Sequence, residues 1–189
     1  MQTGPDVQFK TLLTKEEYDK LIERFKGNRT DFQANHYFDT KRFSLKALDS
    51  SLRVRERDTL ELTLKRKKGY KLVEITIPID NQVFQEMRET GTIPEGEIKE
   101  ELFPLIGNQR LYNFLSLSTL RMYLPYKNGV LFIDKSEYLG ETDYELEYSA
   151  KNYNEAKKEF IQIIGELEIQ YKKADKKIIR AFKAYKRLN

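Results

Sequence analysis

Alternating apolar and polar residues predict a chain built mainly of β-strands. Near the start, Val7 and Phe9 alternate with Gln8 and Lys10, and the same two-residue period recurs in seven later segments. Successive side chains of a strand point to opposite faces, so this period is typical of strands with one buried face. The predicted strands are residues 7–13, 34–40, 51–57, 59–67, 70–77, 117–125, 129–137 and 142–149.

A longer apolar period predicts helices between and after these strands. Thr14 is the predicted N-cap of the first helix, with Glu17 as its capping-box partner. Residues 80–115 carry a second helical pattern, which is split between Gly91 and Gly96. Two further helices are predicted at residues 153–167 and 175–188.

Turn signals indicate that most of the strands are joined by hairpins. Asn128-Gly129 is a strong signal, and Asp58-Thr59 and Lys68-Gly69 stand where tight turns are expected. Strands joined by hairpins pair in antiparallel fashion, and closing such a sheet removes its exposed edges. We therefore predict one α+β domain, residues 1–189, with an eight-stranded antiparallel β-barrel flanked by helices.

The polar side of nearly every predicted strand is charged. Arg53 and Arg55 lie two residues apart, as do Glu145 and Glu147. Like charges at this spacing repel each other across about 6–7 Å. Each strand taken alone also fits an ordinary strand whose polar face meets solvent. Together, the like-charged pairs favour a polar interior in which bound groups of opposite charge lie between them.

A charged interior indicates which kind of ligand the barrel could bind. If the helices cover the apolar faces, the charged faces line the barrel, which has room for one small ligand. Basic side chains bind a polyanion, and clustered carboxylates bind a hard cation such as Mg²⁺ or Mn²⁺. The predicted interior residues are Lys10, Arg53, Arg55, Lys65 and Arg121 on the basic side, and Asp6, Glu74, Asp134, Glu145 and Glu147 on the acidic side. This set predicts a metal-bound oligophosphate.

Composition excludes several other kinds of site. Without cysteine, the chain has no disulfide, thiolate metal site or Cys nucleophile, and a sole histidine, His36, excludes a His-based metal site. The net charge is +4, but residues from Lys172 onward carry +7 and the rest −3, so nucleic acid is not an expected partner. No apolar run is long enough for a signal peptide or membrane span, so we expect a cytoplasmic protein without membrane contact.

These segments resemble the CYTH superfamily, the triphosphate tunnel metalloenzymes, and in particular CYTH proteins of Gram-positive bacteria. The resemblance covers nearly the whole chain and rests on the order and spacing of its pieces. The matching pieces are Asn35-His36-Tyr37-Phe38-Asp39-Thr40, Leu52-Arg53-Val54-Arg55-Glu56, Leu62-Thr63-Leu64-Lys65, Thr119-Leu120-Arg121, Ile133-Asp134-Lys135-Ser136 and Tyr144-Glu145-Leu146-Glu147-Tyr148.

The resemblance implies an eight-stranded tunnel that holds a triphosphate and a divalent metal, Mg²⁺ or Mn²⁺. The substrate-binding residues would be Lys10, Arg53, Arg55, Lys65, Arg121 and a C-terminal lysine, Lys173 or Lys176. The metal ligands would be Asp6, Glu74, Asp134, Glu145 and Glu147, and the catalytic residues Lys10, Lys65, Glu145 and Glu147. The first strand departs from the family signature Glu-x-Glu-x-Lys, because Asp6 and Gln8 precede Lys10.

The expected activity is metal-dependent hydrolysis of inorganic tripolyphosphate or an organic triphosphate. Two alternatives remain open from the sequence: an adenylate cyclase of the class IV type, and a protein that binds a triphosphate or nucleotide without cleaving it. The neutral Gln8 favours the second alternative, because it is a poorer metal ligand than glutamate. The sequence leaves open which triphosphate and which metal are used, and whether the protein is a monomer or a homodimer.

Overall fold

The computed structural model describes residues 7–188, which form eight strands and six helices. The strands are β1 (Val7–Leu13), β2 (Arg29–Thr40), β3 (Ser51–Glu56), β4 (Leu60–Lys68), β5 (Lys71–Ile79), β6 (Leu111–Tyr126), β7 (Gly129–Tyr138) and β8 (Glu141–Ala150). The helices are α1 (Lys15–Arg24), α2 (Ser44–Ala47), α3 (Asn81–Thr90), α4 (Glu97–Ile106), α5 (Tyr153–Glu166) and α6 (Lys177–Leu188).

The strands form an eight-stranded antiparallel sheet in the order β1-β8-β7-β6-β2-β3-β4-β5. This confirms the predicted α+β class and the number of strands. The chain divides into two compact units, the first made of residues 1–32 and 118–189 and the second of residues 33–117. β2 and β6 each contribute residues to both units. The single domain predicted for residues 1–189 stays a prediction.

In the first unit, two helices cover the apolar face of β1, β6, β7 and β8. Leu21 of α1 and Phe160 and Ile163 of α5 pack with Leu146 and Tyr148 of β8 in one buried cluster. The predicted capping box starts α1: Thr14 Oγ1 accepts the Glu17 N–H at 3.1 Å, and Glu17 Oε2 accepts the Thr14 N–H at 2.6 Å. The apolar half of the strand pattern is therefore used for packing, which leaves the charged half on the opposite face.

The second unit follows the same rule. α3 and α4 place Phe84, Met87 and Leu102 in a buried cluster with Leu52 and Val54 of β3. The predicted split between these helices is confirmed, because Gly91 ends α3 in the left-handed region at φ 73°. Arg53 and Arg55 alternate with Leu52 and Val54 along β3, so their side chains lie on the face away from these helices.

Two strands, β2 and β6, are several residues longer than their predicted segments. β6 begins at Leu111, inside the segment predicted to be helical, and α4 ends at Ile106. Leu115 and Leu117 are both buried, two residues apart, as strand packing requires. β2 begins at Arg29 rather than at residue 34, and the Arg29 guanidinium lies 5.4 Å from the centre of the Tyr123 ring. This cation–π contact supports a polar strand segment that lacks the apolar alternation on which the prediction relied.

None of the helices within residues 7–188 is both long enough and apolar enough to cross a membrane.

Candidate metal and phosphate sites

Strand register brings charged residues of the first unit into adjacent rows. Arg121 of β6 is directly opposite Asp134 of β7, and Asp134 is directly opposite Glu145 of β8. In the neighbouring row, Glu147 of β8 is directly opposite Lys10 of β1. Residues opposite each other in a sheet share a face, so all five belong to the face that the core helices leave uncovered.

Three carboxylates from these rows form a cluster. Asp134, Glu145 and Glu147 each offer an oxygen atom, and these atoms lie within 4.8 Å of one another. The first two side chains are fully buried, and Glu147 is 7% exposed. Burying negative charges so close together costs free energy unless cations or hydrogen-bond donors balance them. The cluster therefore needs positive partners.

Arg121 supplies the first partner. Its Nε and one terminal nitrogen each donate to Asp134 at 2.7 Å, in a two-bond fork. The same terminal nitrogen lies 3.6 Å from Glu147 Oε2. The guanidinium also lies 4.5 Å from the centre of the Phe132 ring. These contacts hold Asp134 in one orientation, whereas Glu147 receives one longer contact from this cation.

Helix α6 supplies two further cations. Lys177 Nζ donates to Asp134 Oδ2 and to Glu145 Oε1, both at 2.7 Å. Arg180 donates to Glu145 Oε2 at 2.7 Å and to both oxygens of Asp143, at 2.7 and 3.0 Å. The two cations are three residues apart, so they lie on one side of the helix.

The pKa values in the cluster follow from this unequal pairing. Burial acts to raise the pKa of Asp134, but the hydrogen bond from Arg121 and the charge of Lys177 hold it below its ordinary value. Burial raises the pKa of the Glu147 carboxyl, and the charges of Arg121 and Lys177 only partly offset it. Glu147 is thus the member of the cluster with the weakest positive partner.

The second unit carries a pair of arginines with unsatisfied donors. The Nε atoms of Arg53 and Arg55 are buried, and neither has a hydrogen-bond partner among the described residues. Burial and the neighbouring charges of Arg53 and Arg57 lower the pKa of Arg55. A buried donor without an acceptor costs folding free energy, and the repulsion between two neighbouring cations adds to that cost. An anion such as a phosphate group would relieve both costs.

Further along this face, Lys65 Nζ lies 3.0 Å from Glu74 Oε2, and both side chains are partly exposed. This pair joins β4 to β5, because the two residues are directly opposite each other.

The predicted site residues therefore fall into two groups, one in each unit. The first unit brings together Arg121, Asp134, Glu145 and Glu147, with Lys10 in register beside them. The second unit holds Arg53, Arg55, Lys65 and Glu74. Asp6 lies outside the described residues, and Gln8, opposite Ser149, is exposed. The roles assigned to these residues stay predictions.

Two helix residues that bind the carboxylates of this face were not predicted from the sequence. The two predicted C-terminal lysines, Lys173 and Lys176, are both exposed. The lysine that reaches the carboxylates is Lys177, with Arg180 one turn later. The sequence contains a weak signal for them, since basic residues repeat along one side of the amphipathic helix. Many lysines share that pattern, however, and periodicity does not tell which of them meets a strand.

The acidic cluster has the chemistry of a site for a hard divalent cation. Carboxylate oxygens are the ligands that Mg²⁺ and Mn²⁺ prefer, and three converge here from two neighbouring strands. The donor set thus fits the predicted metal, provided that the ion can compete with the lysine and arginine nitrogens for the same oxygens.

Comparison with known proteins gives a consistent result. The chain is 31% identical over 183 residues to a Bacillus subtilis (strain 168) protein named "Putative triphosphatase YjbK", with 94% of each chain covered. A crystal structure of a "putative adenylate cyclase" from Bacillus halodurans is 32% identical, covers 94% of this chain and 97% of its own, and has a TM-score of 0.73.

A Hippeastrum protein, HpAC1, shares the fold with a TM-score of 0.73 at 21% identity, covering 97% of this chain and 96% of its own. HpAC1 is named a "putative adenylyl cyclase" and is described as having a dominant triphosphatase activity. The eight antiparallel strands and their helices are consistent with the α+β tunnel fold. The family model described as "CYTH domain" matches residues 5–182, and the chain belongs to this family.

Proposed function

We propose that this protein hydrolyses a triphosphate with the help of a divalent metal ion. The observation that carries the proposal is the convergence of three buried carboxylates, Asp134, Glu145 and Glu147, on the charged face of the sheet. Family membership and the names of its relatives support triphosphate hydrolysis as the general activity. The metal, the substrate and the residue roles below are proposals.

The carboxylates are proposed to hold the metal ion. When bound, Mg²⁺ or Mn²⁺ supplies positive charge to the phosphate oxygens and assists the attack of water on phosphorus. Arg121 orients Asp134 through its two hydrogen bonds and keeps it ionised. Glu147, which has the weakest cationic partner, is the carboxylate most in need of a further cation.

The basic residues are proposed to bind the phosphate groups. Arg53 and Arg55 have buried Nε donors that a phosphate oxygen would satisfy. Lys65 and Lys10 supply point charges that stabilise the negative charge spread over the transferring phosphoryl group. In this chemistry positioning and electrostatics do the work, so no side-chain nucleophile is required. Glu74 would hold Lys65 in place through their 3.0 Å ion pair.

The experiment that tests this function measures phosphate release from tripolyphosphate, thiamine triphosphate and ATP, with Mg²⁺ or Mn²⁺ and with EDTA. We expect release that requires the metal and falls by about a hundred-fold or more in Glu147→Gln and in Arg53→Met. Arg88→Met is the matched control, since Arg88 is exposed on α3, the helix that packs against the apolar face of β3. Full activity in EDTA, or in both site variants, would contradict the proposal.

Cyclisation of ATP is the second candidate, favoured by the name of the Bacillus halodurans relative. The ribose 3′-hydroxyl would then replace water as the nucleophile, with pyrophosphate as the leaving group. The same reactions, analysed for cyclic AMP and pyrophosphate, separate the two activities.

Binding without cleavage is the third candidate, favoured by Gln8 in the first strand. Restoring a carboxylate tests it: if Gln8→Glu creates a large activity in a chain that otherwise only binds, the natural protein is a binding protein.

A further inference from the structure

We propose that Lys177 is a built-in competitor of the metal ion, so that metal binding releases helix α6 from the carboxylates. This inference rests on the proposed metal site, and concerns what occupies that site before the metal arrives. It makes α6 an autoinhibitory element that the divalent cation displaces.

The competition follows from the atoms that Lys177 uses. Its ammonium group donates to one oxygen of Asp134 and one oxygen of Glu145, each at 2.7 Å. Both residues belong to the proposed ligand set, and both are fully buried. A hard cation binds through the same oxygen lone pairs that accept these hydrogen bonds. The lysine and the ion therefore cannot both use those two oxygens at full strength.

The charge balance points the same way. Four carboxylates, from Asp134, Asp143, Glu145 and Glu147, face three cations, from Arg121, Lys177 and Arg180. The set is therefore close to neutral while α6 is in place. Without Lys177 and Arg180, the ion pairs of Arg121 with Asp134 and Glu147 would be the ones left to these four carboxylates among the described residues, with Lys10 in register opposite Glu147. Such an excess of negative charge strongly favours a divalent cation.

Helix α6 is attached to β8 by a ladder of such pairs. Lys177 meets Glu145, Arg180 meets Glu145 and Asp143, and Arg187 meets Glu141 at 2.5 Å. These carboxylates come from alternate positions of one strand, so they share its charged face. Weakening the contacts at Glu145 would remove the most buried ion pairs between α6 and β8. Binding of the metal should then loosen the beginning of α6, since coupling between two sites acts in both directions.

The experiment uses the full chain and Mn²⁺ alone. Isothermal titration calorimetry gives the Mn²⁺ affinity of the natural protein, of Lys177→Met and of Lys183→Met. The last is a matched control, because Lys183 lies on the same helix but pairs with Asp175, away from the cluster. Hydrogen exchange of residues 177–188, with and without saturating Mn²⁺, reports the attachment of α6 in the natural protein.

We expect Lys177→Met to bind Mn²⁺ about ten-fold or more tightly than the natural protein, and Lys183→Met to stay within about two-fold. We also expect Mn²⁺ to speed exchange in the first turns of α6. The proposal would be overturned if Lys177→Met bound Mn²⁺ more tightly while Mn²⁺ left hydrogen exchange in α6 of the natural protein unchanged. Removal of a nearby positive charge would then be enough to explain the higher affinity.

The calorimetry distinguishes a failure of the lysine competition from a failure of the metal site. If Mn²⁺ binds equally well to the natural protein and to Lys177→Met, the competition is wrong and the metal site stands. If no chain binds Mn²⁺, the metal site itself is wrong, and the competition is overturned with it. Should Lys177→Met fail to fold, the exchange measurement on the natural protein still decides the question.

Discussion

Arg55 is a side chain that lowers the stability of the free protein and is suited to bind a ligand. It has a buried Nε without a partner among the described residues, and it lies beside a second arginine of the same charge. Its lowered pKa means that the folded protein disfavours its charged form. Residues of this kind persist where a ligand supplies the missing partner.

Replacing Arg55 by methionine should therefore raise stability and weaken ligand binding at the same time. We expect the melting temperature without ligand to rise by about 2–4 °C, as about 1 kcal/mol would give in a chain of this size. We expect the tripolyphosphate affinity to fall about ten-fold or more. Thermal unfolding and calorimetry measure the two effects. A variant that melts lower and binds equally well would show that Arg55 is a structural residue.

For single residues on strands, the sequence predicted the charged face because strand alternation is local. Arg53 alternates with Leu52 and Val54, so its face follows from its two neighbours alone. Lys177 could not be assigned in the same way. Successive side chains of a helix point in directions about 100° apart, so the side that faces the sheet depends on how the helix packs. In α6 this side is set by the burial of Ala181 and Ala184, which the sequence alone does not predict.

Among the elements, α1 is tied to the segment that precedes α6 through Glu17. Its carboxylate accepts the N–H of Thr14 at 2.6 Å and that of Gln170 at 3.4 Å, and it lies 3.4 Å from Lys172 Nζ. The same segment bonds to β1, since Leu12 N donates to Lys172 O at 3.0 Å. Burial acts to raise the pKa of Glu17, but these donors and the ammonium hold it below its ordinary value of 4.5.

A lowered carboxyl pKa gives a stability contribution that disappears in acid. The charge of Glu17 stabilises the fold above its unfolded pKa, and this contribution is lost as the pH falls through the lower, folded pKa. We expect Glu17→Gln to lose about 0.5–1 kcal/mol at pH 7 and to lose less than that at pH 3. Urea unfolding at both pH values measures this difference.

The control for this measurement is Glu16→Gln, which removes a charge from the same first turn of α1. A loss equal to that of Glu17→Gln would assign the effect to the helix dipole rather than to the link with residues 170–172.

Helix α5 is fixed to β8 and to the β6–β7 turn by a buried glutamate. Glu159 accepts the Tyr148 hydroxyl and the Asn128 side-chain amide, each at 2.6 Å. The Asn128-Gly129 turn between β6 and β7 packs closely against β8, because a Cβ at Gly129 would lie 2.8 Å from the Tyr148 ring and would also clash with the Ser149 carbonyl oxygen. β8, which carries Glu145 and Glu147, is therefore held near its C-terminal end, beside the β6–β7 turn.

Tyr148→Phe removes one of the two partners of Glu159 and leaves the ring in place. We expect a loss of about 1–2 kcal/mol in the free energy of unfolding, because a buried carboxylate oxygen loses its donor. Tyr144→Phe, on the same strand, should change stability by less than about 0.5 kcal/mol. Equal values from urea unfolding of the two variants would mean that the bond to Glu159 contributes nothing.

The sequence located all eight strands, but it predicted β2 and β6 several residues too short. β6 begins at Leu111, and the next three residues, Tyr112, Asn113 and Phe114, show no clean alternation of apolar and polar side chains. Asn113 is instead stabilised by donating to the carbonyl oxygen of Tyr37 at 3.1 Å. Such a bond links residues far apart in the sequence, so local periodicity could not have predicted it.

For the whole molecule, the proposed ligand should act as a stabiliser. Anything that binds the folded state alone raises the free energy of unfolding by about 2.7 kcal/mol at a hundred times its dissociation constant. We expect tripolyphosphate at that concentration to raise the melting temperature by about 5–10 °C. Arg53→Met should lose most of this shift, and KCl at about 0.5 M should reduce it. An equal shift with orthophosphate would contradict recognition of a triphosphate.

The alternation along β8 also limits how such a chain can change over time. Between Glu141 and Ala150 the acidic and the apolar residues occupy alternate positions. Deleting one residue there would turn Tyr144, Leu146 and Tyr148 toward the charged face and the glutamates toward the helices. Substitutions can accumulate one at a time, but a change of strand length alters both faces at once. Relatives should therefore vary in length at turns such as Leu139-Gly140, and keep the spacing of their strands.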